Sequence, residues 1–290
     1  VGSNFFMPQD LFVTIKSHYN TFTRAEKHIA DYVLASAKDV LYMSITELAN
    51  ACEVGDTSVF RFCRHLGKSG YQDFKVDLAQ AVSETHAMPI LQNCIVECED
   101  PADVMIQKVL NNNIAVLRET YQLIDRNALS NTTRWLTEAE HICFFGVGAS
   151  STSALEASNR FMRVTAKTEC VLDARMQMMR ASLMTRSDVA ILFSYSGATK
   201  ETVTIAKTAK GMGAKCICIS RYAHSPLAEV CDLLYLCGGN DGPLQSGSLS
   251  VKTSQLLLME VLYIAYCQSN PEECDQRIRA TAAALKHDKL

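Results

Sequence analysis

No run of eighteen apolar residues occurs in this chain, which excludes an ordinary membrane-spanning helix. Neither sign of charge is in excess. The 28 Lys and Arg against 31 Asp and Glu leave a formal net charge of −3, so no global field points to nucleic acid. The opening residues, Val1-Gly2-Ser3-Asn4-Phe5-Phe6, lack both the basic start and the long apolar core of a secretory signal. Gly2-Ser3 ahead of Met7 reads as a cloning remnant, with Met7 as the natural start. A disulfide framework is missing too. The 12 cysteines are scattered in a chain too large to need staples, which fits reduced thiols in a cytoplasm. Cys216-x-Cys218 falls in an expected buried strand and Cys94-x3-Cys98 in an expected linker. Neither has a second Cys or His pair nearby, so no metal site is expected.

What is present begins with length: 290 residues, 48% hydrophobic, are enough for one large core or two domains. The most informative stretch is Asp188–Thr202, DVAILFSYSGATKET. Its uncharged apolar run suits a strand buried on both faces. Ser194-Tyr195-Ser196-Gly197-Ala198-Thr199 follows, and then a helical pattern through Val203, Ile205, Ala206 and Ala209. Strand, hydroxyl-rich turn and helix together make an anion site: the first helical N–H groups lack intrahelical partners and the macrodipole is positive there. Ser194, Ser196 and Thr199 supply hydroxyls, and Gly197 lets backbone approach closely. The same six residues also fit an ordinary capped βα turn.

A second loop favours the anion site. From His141 the chain alternates strand and helix, with strands expected at 142–145, 169–172, 188–193, 214–219 and 233–236. Such units imply a doubly wound parallel sheet with ligands bound beyond the strand C-termini. The loops Gly148–Ser151 and Ser194–Thr199 then share one edge. Gly146-x-Gly148-x-x-Ser151 is only a partial dinucleotide fingerprint: the third glycine is missing and Asp173 comes late for the ribose-binding acid. No nicotinamide or other cofactor is expected.

The first eighty residues carry a different pattern. Thr23-Arg24-Ala25-Glu26 and Ser44-Ile45-Thr46-Glu47 each read as a capping box opening a helix. After the break Val54-Gly55-Asp56, residues Val59, Phe62, Cys63 and Leu66 fall on one helical face, and Gly67 is the expected terminator. Two short helices around a tight turn have the dimensions of a helix-turn-helix. The opposite face of the second helix bears Thr57, Ser58, Arg61, Arg64, His65 and, just beyond, Lys68, a set able to reach base edges and phosphates. Residues 1–85 are not basic as a whole, but 61–75 hold four basic residues against Asp73 alone.

Three segments carry a family resemblance. Ser44-Ile45-x-Glu47-Leu48-Ala49, Val59-x-Arg61-Phe62-Cys63-Arg64-x-Leu66-Gly67 and Gly70-Tyr71-x-x-Phe74-Lys75-x-x-Leu78-Ala79 closely resemble the N-terminal domain of RpiR-type bacterial transcription regulators. The match departs at Gly55, where that family usually has a capping serine, so Asp56 or Thr57 is expected to take over the cap. Phe145-Gly146-x-Gly148-x-Ser150, Ser194-x-Ser196-Gly197-x-Thr199 and Ser248-x-Ser250-x-Lys252-x-x-Gln255 resemble the sugar isomerase, or SIS, domain, which binds phosphorylated sugars. That resemblance implies phosphate contacts from Ser150, Ser194, Ser196 and Thr199, with Ser151 and Lys252 as further contacts. Lys252 stands where many relatives carry arginine, keeping the charge without the bidentate fork.

The expected organisation is an all-α helix-turn-helix domain at 7–83, a linker at 84–101, and an α/β doubly wound SIS-type domain at 102–290 with leading helices. Those leading helices, one from Pro101 to about Ile124 and one from Leu129 to Ala139, read as packing elements without chemistry. The expected function is operator binding modulated by a phosphorylated sugar, in a homodimer or homotetramer. The alternative is a sugar-phosphate isomerase, which needs a base beside the carbonyl. Asp173, Glu201, His224 and Glu260 are its candidates, and none sits in a motif that marks it as one.

Overall fold

The computed structural model describes residues 11–82, 96–239 and 248–285. The start at Met7, most of the expected linker and Cys94 lie outside these. The chain divides into two compact units, one reaching Lys108 and the other beginning at Val109, the latter also taking in the C-terminal helices.

The first unit is helical. In order come α1 (Leu11–His18), a 3-10 turn (Tyr19–Thr21), α2 (Arg24–Ala35), α3 (Ala37–Val40), α4 (Ile45–Ala51), α5 (Asp56–His65) and α6 (Tyr71–Val82). Both expected capping boxes form: Thr23 with Glu26 at α2, and Ser44 with Glu47 at α4. The helices converge on Ile15, Ile29, Val33, Leu48, Val59, Phe62, Phe74 and Leu78, all fully buried. Gly67 ends α5 in the left-handed region at φ +77°, letting Lys68 N–H reach Cys63 O at 2.9 Å.

Next in sequence comes α7 (Ala102–Leu123), which opens with Met105 N–H bonded to Pro101 O. The second unit continues with α8 (Arg126–Glu138), β1 (His141–Gly146), α9 (Ser150–Met162), β2 (Thr168–Cys170), α10 (Ala174–Ser182) and β3 (Asp188–Phe193). There follow α11 (Lys200–Gly211), β4 (Lys215–Ser220), β5 (Leu233–Leu236), α12 (Leu249–Ser269) and α13 (Pro271–Ala284). The five strands are all parallel in the order β2-β1-β3-β4-β5. Alternation along them feeds two cores. Ile142, Phe144, Val189, Ile191 and Phe193 cluster with Ala154, Phe161, Leu258 and Leu262 of α9 and α12. Cys143, Phe145, Ala190 and Leu192 cluster with Ala181, Ile205 and Ala206 of α10 and α11. Burial on both faces explains why β1, β3 and β4 read as unbroken apolar runs.

The chain leaves β1 for β2 on one side and reaches β3 on the other, so the strand order reverses between β1 and β3. At such a switch point the loops part to opposite faces and leave a crevice. Registered pairing of Gly146 with Phe193 ends both strands at one level. At the far end of β3, buried Asp188 accepts from Thr185 N–H at 2.7 Å and pairs with His141 at 2.9 Å. Burial alone raises its carboxyl pKa, but these partners outweigh that and hold it below the usual range.

Candidate functional site

Ser194 continues β3 for one more bond, its N–H donating to Ile219 O at 3.1 Å. The turn then closes on itself. Gly197 N–H donates to Ser194 O at 3.2 Å, with Gly197 at φ +62°. A Cβ there would lie 2.2 Å from Ser225 Oγ, so the position accepts only glycine without local rearrangement. Ser196 Oγ accepts from Ala198 N–H at 3.2 Å, and Thr199 occupies the N-cap of α11 without spending its hydroxyl on the cap. Ser194 is 3% exposed, and its Oγ has no partner among the described residues. Buried hydroxyls are normally paired, so an unpaired one at the end of β3 is a cost that calls for an explanation.

The neighbouring loop turns through Gly148 at φ +60° into α9. Ser150 opens the helix, half-buried, and its Oγ bonds to none of the described residues. Ser151 differs: its hydroxyl donates to Gly148 O at 2.7 Å and ties the loop down. Its backbone N–H donates to the same carbonyl at 3.1 Å, so Ser151 shapes the loop. One turn on, buried Ser153 donates to Gln255 Oε1 at 2.6 Å, seating the first turns of α9 and α12 side by side. Lys252 lies one turn before Gln255, in the first turn of α12, and is half-buried. Ser248 caps α12 by accepting Val251 N–H at 3.3 Å.

Sequence reasoning missed three contributors. Thr202, in the first turn of α11, is 1% exposed, and its Oγ1 has no partner among the described residues. Gln177 of α10 donates from Nε2 to Gly146 O at 2.8 Å, gripping the end of β1. And α7 holds loops in place. Glu119 pairs with Arg221 at 2.7 Å and accepts Gly239 N–H at 2.8 Å, while Tyr195 OH donates to Gly239 O at 3.2 Å. These contacts brace the loops after β3, β4 and β5, and no local pattern signals them. The isomerase candidates are committed elsewhere: Asp173 caps α10 through Arg175 N–H and Met176 N–H, and Glu260 pairs with Arg160 at 3.0 Å. Glu201 and His224 are exposed.

In the helical unit, α5 buries Val59, Phe62 and Cys63 and turns Thr57, Arg61 and Arg64 outward, with Ser58 half-buried. The cap does not move to Asp56 or Thr57. Gly55 itself is the N-cap without a side-chain bond, and Asp56 instead accepts from buried Thr46 Oγ1 at 2.8 Å, anchoring α5 to α4. Two members of the expected reading face are engaged internally. His65 Nδ1 lies 3.3 Å from Glu26 Oε1 and Nε2 lies 3.3 Å from Thr21 Oγ1, with Phe22 edge-on. Lys68 pairs with Asp77. Lys75, counted with the local basic charge, is buried and donates to Met43 O at 2.9 Å. The outward positive charge of α5 therefore reduces to Arg61 and Arg64.

Two family models match: the helix-turn-helix domain of the rpiR family over residues 10–85 and the SIS domain over 135–265. An uncharacterized HTH-type transcriptional regulator of Caldanaerobacter subterraneus subsp. tengcongensis is 31% identical across 97% of this chain and 99% of its own. The chain belongs to the RpiR family of HTH-type transcriptional regulators. Among this family's members, HexR of Pseudomonas aeruginosa is 32% identical over 78% of both chains. The solved structure of Vibrio vulnificus NanR complexed with ManNAc-6P superposes with a TM-score of 0.82 at 30% identity, covering 95% of this chain and 97% of that one. Both domains of the RpiR-family architecture, helix-turn-helix and five-stranded SIS sheet, are thus present in the order read from the sequence.

Proposed function

We propose that this RpiR-family regulator reads an operator through α5 and takes a phosphorylated sugar where β1 and β3 end, the sugar setting its affinity for DNA. Ser150, Ser194, Ser196 and Thr199 hold the phosphate, Ser151 and Gly197 shape the two loops around it, and Lys252 supplies the positive charge. Thr57, Ser58, Arg61 and Arg64 meet the DNA, while His65 and Lys68 act from behind by holding α5 in place. The effector half rests above all on Ser194, a buried hydroxyl at the switch point with no partner among the described residues. NanR, similar over nearly the whole chain, is complexed with a sugar phosphate, which supports the same ligand class.

Binding without turnover fits best. The pocket's hydroxyls are neutral donors, Asp173 is spent on a cap and Glu260 on an ion pair, and the relatives named are transcriptional regulators. The working form is a homodimer or homotetramer in the cytoplasm. Self-association is supported by α7, which leaves Ile106, Leu110, Ile114 and Tyr121 exposed at helical spacing. Two-fold pairing would set two α5 helices on a palindromic site.

A thermal-shift screen of sugar phosphates tests the reading, because a ligand selective for the folded chain raises its melting point. One or more six-carbon sugar phosphates should raise Tm by several degrees, and the rise should vanish in Ser194→Ala. A flat screen, or an equal rise in the variant, sinks the pocket. Multiple turnovers of an aldose or ketose phosphate would favour the isomerase reading instead.

A further inference from the structure

Four buried side-chain polar atoms lack a partner among the described residues: Arg160 Nε, Gln177 Oε1, Ser194 Oγ and Thr202 Oγ1. Native interiors keep few such atoms, because desolvation is then uncompensated. The last three gather at one end of the sheet. Ser194 follows β3, Thr202 lies in the first turn of the helix leaving it, and Gln177 grips the last residue of β1. Gly146 and Phe193 are in register, so the Gln177 amide sits at the joint between the two loops.

Its orientation is fixed by chemistry. The amide nitrogen faces two carbonyls, Gly146 O at 2.8 Å and Leu172 O at 3.3 Å. Neither carbonyl can donate, so a flipped amide would set oxygen against oxygen twice over. Oε1 is therefore a committed acceptor on a residue only 1% exposed. A phosphate dianion offers acceptors alone and cannot satisfy it. Whatever completes Oε1 carries an O–H or N–H.

We propose that Gln177 is a specificity-determining residue of this pocket, whose Oε1 accepts a hydrogen bond from a hydroxyl or amide N–H on the carbon skeleton of the bound sugar phosphate. Serine hydroxyls and helix N–H groups hold the phosphate, and Gln177 selects the polyhydroxylated ester over bare phosphate. This rests on the sugar-phosphate reading above and adds to it which protein atom reads the sugar.

Calorimetric titration of the full-length chain with inorganic phosphate, N-acetylmannosamine 6-phosphate and glucose 6-phosphate tests it. In Gln177→Met, affinity for the tighter sugar phosphate should fall roughly tenfold or more, while affinity for inorganic phosphate stays within about twofold. Equal losses for both probes make Gln177 structural and overturn the proposal, as does an unchanged sugar affinity; the pocket itself survives either result. A wild-type chain that binds none of the probes removes the pocket and this proposal together. If Gln177→Met fails to fold by circular dichroism, a crystal structure of the wild-type chain with the tighter sugar phosphate decides. Oε1 within hydrogen-bond distance of a ligand donor supports the assignment, and Oε1 on water or protein overturns it.

Discussion

Single residues on this chain carry opposite risks, and Lys75 and Gly197 illustrate both. Lys75 is counted as surface charge when only the sequence is read, because four basic residues cluster in fifteen positions. In the fold it is 4% exposed, its ammonium on Met43 O and 5.5 Å from the Tyr71 ring. Burial pushes its pKa down to about 8, against an upward pull from Glu47. Between pH 8 and the unfolded value near 10.4, the unfolded chain binds more protons, so stability rises with pH across that window. Below pH 8 the full cost of burying the charge is present, at most about 3 kcal/mol for a shift of this size. Lys75→Met should remove that cost, because Met43 O still accepts from Tyr71 OH at 3.1 Å. Urea denaturation followed by circular dichroism should find the variant more stable than wild type at pH 7, with the difference narrowing by pH 10. A wild-type stability flat across that range would show that the ammonium stays hydrated. At Gly197 the risk is steric. Gly197→Ala puts a side chain at φ +62°, costing about 1–2 kcal/mol for the left-handed backbone, and drives a methyl into Ser225. A drop in Tm with loss of any sugar-phosphate shift is expected, and a variant that binds normally would mean the turn is not held by close approach. The hydroxyl motif was legible in the sequence, but the unpaired state of Ser194 and Thr202 was not, because it depends on what fails to come near them in three dimensions.

At the scale of elements, legibility followed how locally each was determined. The two capping boxes were readable because donor and acceptor lie three residues apart. Strands β3 and β5 fall where their apolar runs predict, and β1 and β4 differ by a residue at either end. The edge strand β2 shifts to Thr168–Cys170 from the expected 169–172; it is only half-buried, so its pattern is weak. The helices α1 and α3 went unread because neither has enough turns for a clear period. The start of α5 shows a long-range substitute for a local signal, with Thr46 holding Asp56 where a capping serine is absent. Gly55 has the extended backbone of an N-cap (φ −86°, ψ 155°), and a Cβ there would meet nothing closer than Thr57 Oγ1 at 3.7 Å. Gly55→Ser should therefore gain a few tenths of a kcal/mol from the cap and about 0.4–1 kcal/mol from a less flexible unfolded chain. Hydrogen exchange in the first turn of α5 should slow. Unchanged or faster exchange would mean that Thr46 and Asp56 already satisfy that end.

For the whole molecule, any coupling between the two domains is reciprocal. If a sugar phosphate alters operator affinity by some factor, the operator must alter sugar-phosphate affinity by the same factor, since both routes connect the same four states. Such couplings typically amount to about 5–150-fold, within reach of direct titration in both directions. The operator can be recovered by selecting genomic fragments on the immobilised protein, and the effector comes from the thermal-shift screen. Arg61→Ala then separates the parts. Arg61 is exposed on α5 and bonded to none of the described residues, so its loss should leave the fold and the sugar-phosphate affinity intact. Operator binding should weaken by about 1–3 kcal/mol if it reads a base, or show a salt dependence shallower by about one unit if it meets a phosphate. With the remaining affinity still measurable, the coupling factor should persist in the variant, because Arg61 contacts DNA in whichever state binds it. A coupling factor that collapses to one while both ligands still bind would make α5 part of the switch itself rather than only its reading head.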